Sequence, residues 1–231
     1  MGSEQIIALG GGGFSMENSQ LLDDYILQAS EKNNPRIGFV ATASGDAEGY
    51  TERFYRHFAT KNCRATDLQL FRRKISNLED YACSQDIIYV GGGNTANMLA
   101  VWRVHGFDKA LKTALAGGTI LTGLSAGSIC WFEQAVTDSF GGELHSIDCL
   151  GFLPGSNCPH YDGEPERRSA YHQLVESGMP AGYAADDGVG LHFINGKLQH
   201  VVSSRQQAKA YRVELKGDTV FESAIDTRFL G

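Results

Sequence analysis

Short apolar runs alternate with segments of helical spacing through most of the chain. Gln5 to Leu9 predicts a strand that runs into Gly10-Gly11-Gly12-Gly13. Ser19 to Ala29 follows with Leu22, Tyr25, Ile26 and Ala29 on one helical face. Arg36 to Thr42 reads as a buried strand and Tyr50 to Thr60 as a helix. Asp86 to Val90 is a strand entering Gly91-Gly92-Gly93-Asn94-Thr95, and the helix beyond it carries Met98, Leu99, Val101 and Trp102. Phe107 to Leu115 is a helix stopped by Gly117-Gly118. Thr119 to Gly123 is the next strand and ends at Ser125.

Strands and helices in alternation predict an α/β fold, with a mostly parallel sheet covered on both faces. The pattern changes after Ala181. Gly188 to Ile194 and Leu198 to Ser203, joined through Asn195-Gly196, predict an antiparallel hairpin, and Lys209 to Leu215 a further strand. No linker, repeat or low-complexity tract divides the chain, so residues 1–231 are expected to form one α/β domain.

Composition narrows the function. The net charge is −7, and the longest basic run is Arg72-Arg73-Lys74, so no nucleic-acid partner is expected. No stretch approaches the roughly 20 apolar residues of a membrane helix. The five cysteines, Cys63, Cys83, Cys130, Cys149 and Cys158, are odd in number and form no C-x-x-C pair. Reduced thiols in a cytoplasmic protein are the expectation, with no metal and no organic cofactor.

Ligands of an open parallel sheet bind beyond the carboxyl ends of its strands. Three glycine-rich turns fall there. Gly123-Leu124-Ser125-Ala126-Gly127 places a serine on a strand-to-helix turn between small residues. That is the setting of an exposed nucleophile, with the Ala126 amide as an oxyanion donor. The consecutive glycines at 91–93 let main-chain N–H groups approach a ligand, as a second oxyanion donor, a phosphate cradle or merely a tight turn. They lack the Lys-Ser/Thr ending of a P-loop. Gly10 to Gly13 invites a dinucleotide reading, but no acid ends the second strand to bind a ribose.

A serine nucleophile needs a base. Of seven histidines, His160 is favoured, in the polar loop Cys158-Pro159-His160-Tyr161-Asp162. His57, His105 and His172 fall on predicted helices, His192 and His200 on the hairpin, and His145 in a loop. An acid that orients the imidazole is offered by Asp138 or by Asp187, and the residues alone leave both open.

Together these motifs resemble the peptidase E family, whose type member is an aspartyl dipeptidase. The matching features are the Gly91 turn, the Ser125 turn, Asp138, Pro159-His160 and the acidic turn before Gly188, in family order from Ile6 to about Ser203. The resemblance implies a three-layer α/β/α sandwich related to class I glutamine amidotransferases, with Ser125 as nucleophile and His160 as base. Asp138 and Asp187 both stand as third member, with Asp187 preferred because a residue leaving a strand beside Gly188 can point into the crevice. Gly92, Gly93 and Ala126 are the implied oxyanion donors, and Asn94 and Thr95 the implied substrate contacts. The family's preference for an N-terminal aspartate calls for a cation, which the resemblance puts at Arg167 or Arg168.

The expected partner is therefore a small peptide, taken by a monomer or homodimer. Three rivals remain at this stage: glutaminase chemistry, which wants a cysteine at the Ser125 turn; a non-catalytic binding protein; and a cyanophycinase-like hydrolase of aspartyl-arginine units.

Overall fold

A computed structural model describes residues 3–231. Its strands are β1 (Gln5–Leu9), β2 (Arg36–Val40), β3 (Arg64–Leu68), β4 (Ile87–Val90), β5 (Ile120–Leu124), β6 (Phe132–Thr137), β7 (His145–Asp148), β8 (Leu153–Cys158), β9 (Gly182–Ala185), β10 (Val189–Ile194), β11 (Lys197–Ser203), β12 (Ala210–Lys216), β13 (Thr219–Ile225) and β14 (Arg228–Phe229). The helices are α1 (Leu21–Ala29), α2 (Glu48–Phe58), α3 (Leu78–Ser84), α4 (Thr95–His105), α5 (Phe107–Ala116), α6 (Ala126–Ile129) and α7 (Arg167–Glu176).

The principal sheet has eight strands in the order β14-β11-β10-β1-β5-β4-β2-β3. From β1 to β3 every pairing is parallel. β1, β5, β4 and β2 are short and largely apolar because both faces are covered, whereas the edge strand β3, Arg-Ala-Thr-Asp-Leu, is more polar and only partly buried. Ile7, Leu9, Ile37, Phe39, Ile87 and Tyr89 meet α1 and α2 on one side. Ile6, Ala8, Val40, Ile88, Val90 and Leu121 meet α3, α4 and α5 on the other.

The hairpin forms as expected. β10 pairs antiparallel with β1 and with β11, and Asn195 and Gly196 turn it with φ of 49° and 73°. Positive φ at both positions matches the right-handed strand twist.

A second sheet, of six strands in the order β13-β12-β9-β8-β6-β7, goes beyond the expectation. The strand read at Lys209 to Leu215 is β12, and it joins this sheet rather than the principal one. One face of the second sheet closes the core through Phe132, Leu153, Ala185 and Ala210. Val136, Cys158, Ala184 and Val213 pack with Tyr171 and Val175 of α7. Its consequence for the site is direct: β8 delivers the loop that carries His160, and β9 delivers Asp187.

Candidate active site

Ser125 leaves β5 with φ 54° and ψ −116°, a conformation that costs a non-glycine residue roughly 1–3 kcal/mol. The surroundings impose it. A side chain at Gly123 would lie 2.6 Å from the Gly127 carbonyl oxygen, and one at Gly127 would lie 2.7 Å from the Val90 carbonyl carbon. Only glycine lets β5, β4 and α6 approach so closely. α6 is a single turn of four residues. Its contribution is therefore the free first-turn amide of Ala126 rather than a long helix dipole.

Gly92 stands against this turn, its side-chain position 3.2 Å from Ser125 Cβ. Its N–H donates to Tyr50 Oη at 3.2 Å, and that hydroxyl donates to Ser15 Oγ at 3.2 Å. Gly93, with φ 137°, lets the chain pass the backbone of Ala43.

His160 is nearly buried and also has a positive φ, of 53°. Its N–H donates to the Gly10 carbonyl at 2.9 Å. Its Nδ1 lies 2.7 Å from Asp187 Oδ1, which leaves Nε2 free. Asp187 is fixed in turn: its N–H donates to Asp162 Oδ1 at 2.8 Å, and its carbonyl accepts from Arg205 at 3.0 Å. Arg205 pairs with Asp162 at 2.9 Å, closing the brace. The neighbouring Asp186 is buried and accepts from Lys209 N–H at 2.8 Å, and burial raises its carboxyl above the ordinary range.

The Gly10–Gly13 run finds its reason here. A side chain on Gly11 would overlap Asp187 Oδ1 and come within 2.9 Å of His160 Nδ1. One on Gly10 would come within 2.8 Å of the Ala185 carbonyl carbon. The glycines admit the His–Asp pair against β1, which explains them without a nucleotide.

Ser125, His160, Asp187 and Gly92 open together on one pocket of about 520 Å³, whose other walls are Ser15, Met16, Tyr50, Arg53, Leu124, Gly163 and Glu164. That volume is within the range of small-molecule sites. No hydrogen bond joins Ser125 to His160 among the described residues, and such bonds are often long in unliganded sites.

Several residues singled out in the sequence stand elsewhere. Asp138 is exposed and makes no hydrogen bond to His160. Asn94 caps α4 by accepting from Asn97 N–H at 2.9 Å, and its amide donates to the Ser139 carbonyl at 2.9 Å. Thr95 is buried behind it. Arg167 is 3% exposed, paired with Glu164 at 2.6 Å and reaching the Val136 carbonyl. Arg168 lies between the Tyr161 and Tyr211 rings, 4.8 and 4.9 Å from their centroids, beside Glu222. None of these five side chains lines the pocket. Tyr50, Arg53 and the Asp162–Arg205 brace escaped the sequence reading, and no local motif marks them.

Glutaminase chemistry finds no thiol here. Cys130 and Cys158 are fully buried; burial pushes Cys130 well above the ordinary thiol range and Cys158 up to about 12. Among the described residues no three His, Cys, Asp or Glu side chains cluster as metal ligands, and no helix is long and apolar enough to cross a membrane.

Residues 6–201 match the family model of peptidase family S51. The uncharacterized peptidase YgaJ of Bacillus subtilis (strain 168) is 52% identical over 230 residues, 99% of this chain and 100% of that protein. Peptidase E of Streptomyces coelicolor is 29% identical over 133 residues, 56% of this chain and 53% of its own. The crystal structure of a peptidase from an acI-B1 actinobacterium superposes with a TM-score of 0.73 at 13% identity, covering 96% of this chain and 97% of the other; it shares the fold.

Proposed function

Because the chain belongs to peptidase family S51, and is thus a serine-type peptidase, we propose that it cleaves short peptides through an acyl-enzyme on Ser125. Its preferred substrates are dipeptides with an N-terminal acidic residue. The observation that carries the reading is the His160–Asp187 bond at the mouth of the pocket that Ser125 enters on a strained turn.

Asp187 holds the Nδ1 proton of His160, so that Nε2 accepts the proton of Ser125 as the hydroxyl attacks the peptide carbonyl. The imidazolium formed is stabilised by the Asp187 carboxylate. The Ala126 and Gly92 amides receive the oxyanion; at Gly92 this replaces the bond to Tyr50 Oη. His160 then protonates the leaving amine, and water, deprotonated by the same nitrogen, releases the acid product. A small pocket favours short substrates, and the five unpaired thiols suit a reducing, cytoplasmic setting.

A dipeptide library with Asp-X, Glu-X, β-aspartyl and neutral members, run on wild type and Ser125→Ala, tests the proposal. Turnover of Asp-X members that vanishes in the variant is expected. Equal turnover in the two proteins contradicts the nucleophile, and a flat profile across the library contradicts the acidic preference.

A further inference from the structure

Helix α2 presents a row of charges to solvent, and most of them are paired within the protein. Arg56 pairs with Glu52, and Arg72 reaches Glu48. Arg53 differs from its neighbours in two respects. It lines the pocket that holds Ser125 and His160, and it has no carboxylate partner among the described residues.

Its position is set by Tyr50, one helical turn earlier. The Arg53 guanidinium carbon lies 5.1 Å from the centre of the Tyr50 ring, within reach of a cation–π contact. The same ring is tied at its hydroxyl to the Gly92 amide and to Ser15. Gly92 in turn lies beside Ser125, so close that a side chain there would come within 3.2 Å of Ser125 Cβ. The guanidinium is thus held, through one aromatic side chain, in register with the turn that carries the nucleophile.

The pocket's two carboxylates are already engaged. Glu164 accepts from Arg167 Nε at 2.6 Å, and Asp187 bonds His160. An arginine stacked on an aromatic ring presents its planar fork to a carboxylate and binds it through two parallel hydrogen bonds. We propose that Arg53 is the specificity-determining residue of the active site, binding a carboxylate of the substrate. The inference rests on the peptidase reading above and assigns to Arg53 the role that Arg167 and Arg168, fixed in their own contacts, do not fill. Two carboxylates of a dipeptide share this chemistry: the side chain of an acidic first residue, and the free C-terminus.

Kinetics with Asp-Leu, Ala-Leu and Asp-Leu amide on wild type, Arg53→Gln and Arg53→Lys separate the two. Arg53→Gln is expected to lower kcat/KM about ten- to a hundred-fold on the carboxylate that Arg53 reads, with Arg53→Lys intermediate. Collapse of the Asp-Leu to Ala-Leu ratio assigns the side chain. Collapse of the Asp-Leu to Asp-Leu amide ratio assigns the C-terminus. Both ratios unchanged overturn the proposal. Unaltered fluorophosphonate labelling of Arg53→Gln verifies that Ser125 stays reactive.

A calorimetric titration of succinate into Ser125→Ala, with and without Arg53→Gln, asks the same question without turnover. Binding lost on adding Arg53→Gln supports the proposal; equal binding, or none to either protein, contradicts it. Should wild type fail to cleave peptides at all, the peptidase reading falls while this titration still decides Arg53.

Discussion

His160 Nδ1 and Asp187 Oδ1 meet at 2.7 Å although 27 positions separate them, because β8 and β9 lie side by side and parallel. Each residue follows the end of one of these strands, so the second sheet builds the proposed acid–base pair and the principal sheet carries the proposed nucleophile, Ser125. Asp187→Asn leaves the packing intact but presents an amide where the proposed mechanism needs a carboxylate to stabilise the imidazolium. A fall in kcat of about a hundred-fold or more is expected. Asp138→Asn should stay within about two-fold of wild type, since Asp138 makes no hydrogen bond to His160. Steady-state kinetics on the two variants decide between the carboxylates.

Gly11, two residues beyond β1, is where the chain yields space to this pair. Gly11→Ala puts a methyl group into Asp187 Oδ1 and within 2.9 Å of His160 Nδ1. The segment has little room to retreat, because Gly10 N–H donates to the Val189 carbonyl at 2.9 Å and the Gly11 carbonyl accepts from Gly188 N–H at 3.1 Å. The expected outcome is loss of most turnover, with far-UV circular dichroism preserved and the melting temperature lowered. Wild-type activity in Gly11→Ala would mean that the His–Asp contact does not matter.

Thiol chemistry should be irrelevant to turnover. Cys130 and Cys158 are buried and held protonated by their surroundings, whereas Cys83 is exposed and does not line the pocket. Iodoacetamide is expected to label Cys83 on the native protein and to leave peptidase activity unchanged. Inactivation that tracks modification of Cys158, two residues from His160, would reopen a thiol role.

The hairpin carries a pH-dependent contribution to stability. His192 sits between Tyr25 Oη, 2.8 Å from Nδ1, and Gln5 Oε1, 3.0 Å from Nε2. Burial, with His200 nearby, lowers its pKa from 6.5 to about 4. Above pH 6.5 the ring is neutral in both folded and unfolded chains. Between 6.5 and 4 the unfolded chain takes up a proton that the folded one refuses, so stability falls as the pH falls. The loss across that window is on the order of 2–3 kcal/mol. Urea midpoints measured from pH 7 to pH 4 should decline less steeply in His192→Gln, and equal slopes would contradict the assignment.

What was legible in the sequence follows from how each element is buried. β1, β2, β4 and β5 are covered on both faces and so appear as mostly apolar runs, with Thr122 inside β5 and Gln5 and Arg36 leading β1 and β2. β8, Leu-Pro-Gly-Ser-Asn-Cys, lies in a mixed sheet and is filled by buried polar groups such as Ser156 and Asn157, so neither periodicity nor propensity marks it. Ser125 and His160 were readable because each sits in a turn that demands small or restricted neighbours. The carboxylate was readable only as a preference for Asp187 over Asp138; what separates them is that Asp187 follows β9, beside β8, and bonds His160, whereas Asp138 follows β6 and is exposed. Arg53 was hidden for a simpler reason: among Glu48, Glu52, Arg53 and Arg56 on an amphipathic helix, nothing local distinguishes the one charge that faces a pocket.

Ser125 is proposed as a nucleophile activated by His160. Labelling with a fluorophosphonate, followed by intact mass and peptide mapping, tests it most directly. One adduct per chain is expected, on Ser125, absent in Ser125→Ala and much slower to form in His160→Ala. An unlabelled protein, an adduct on another residue, or a rate indifferent to His160 would contradict it.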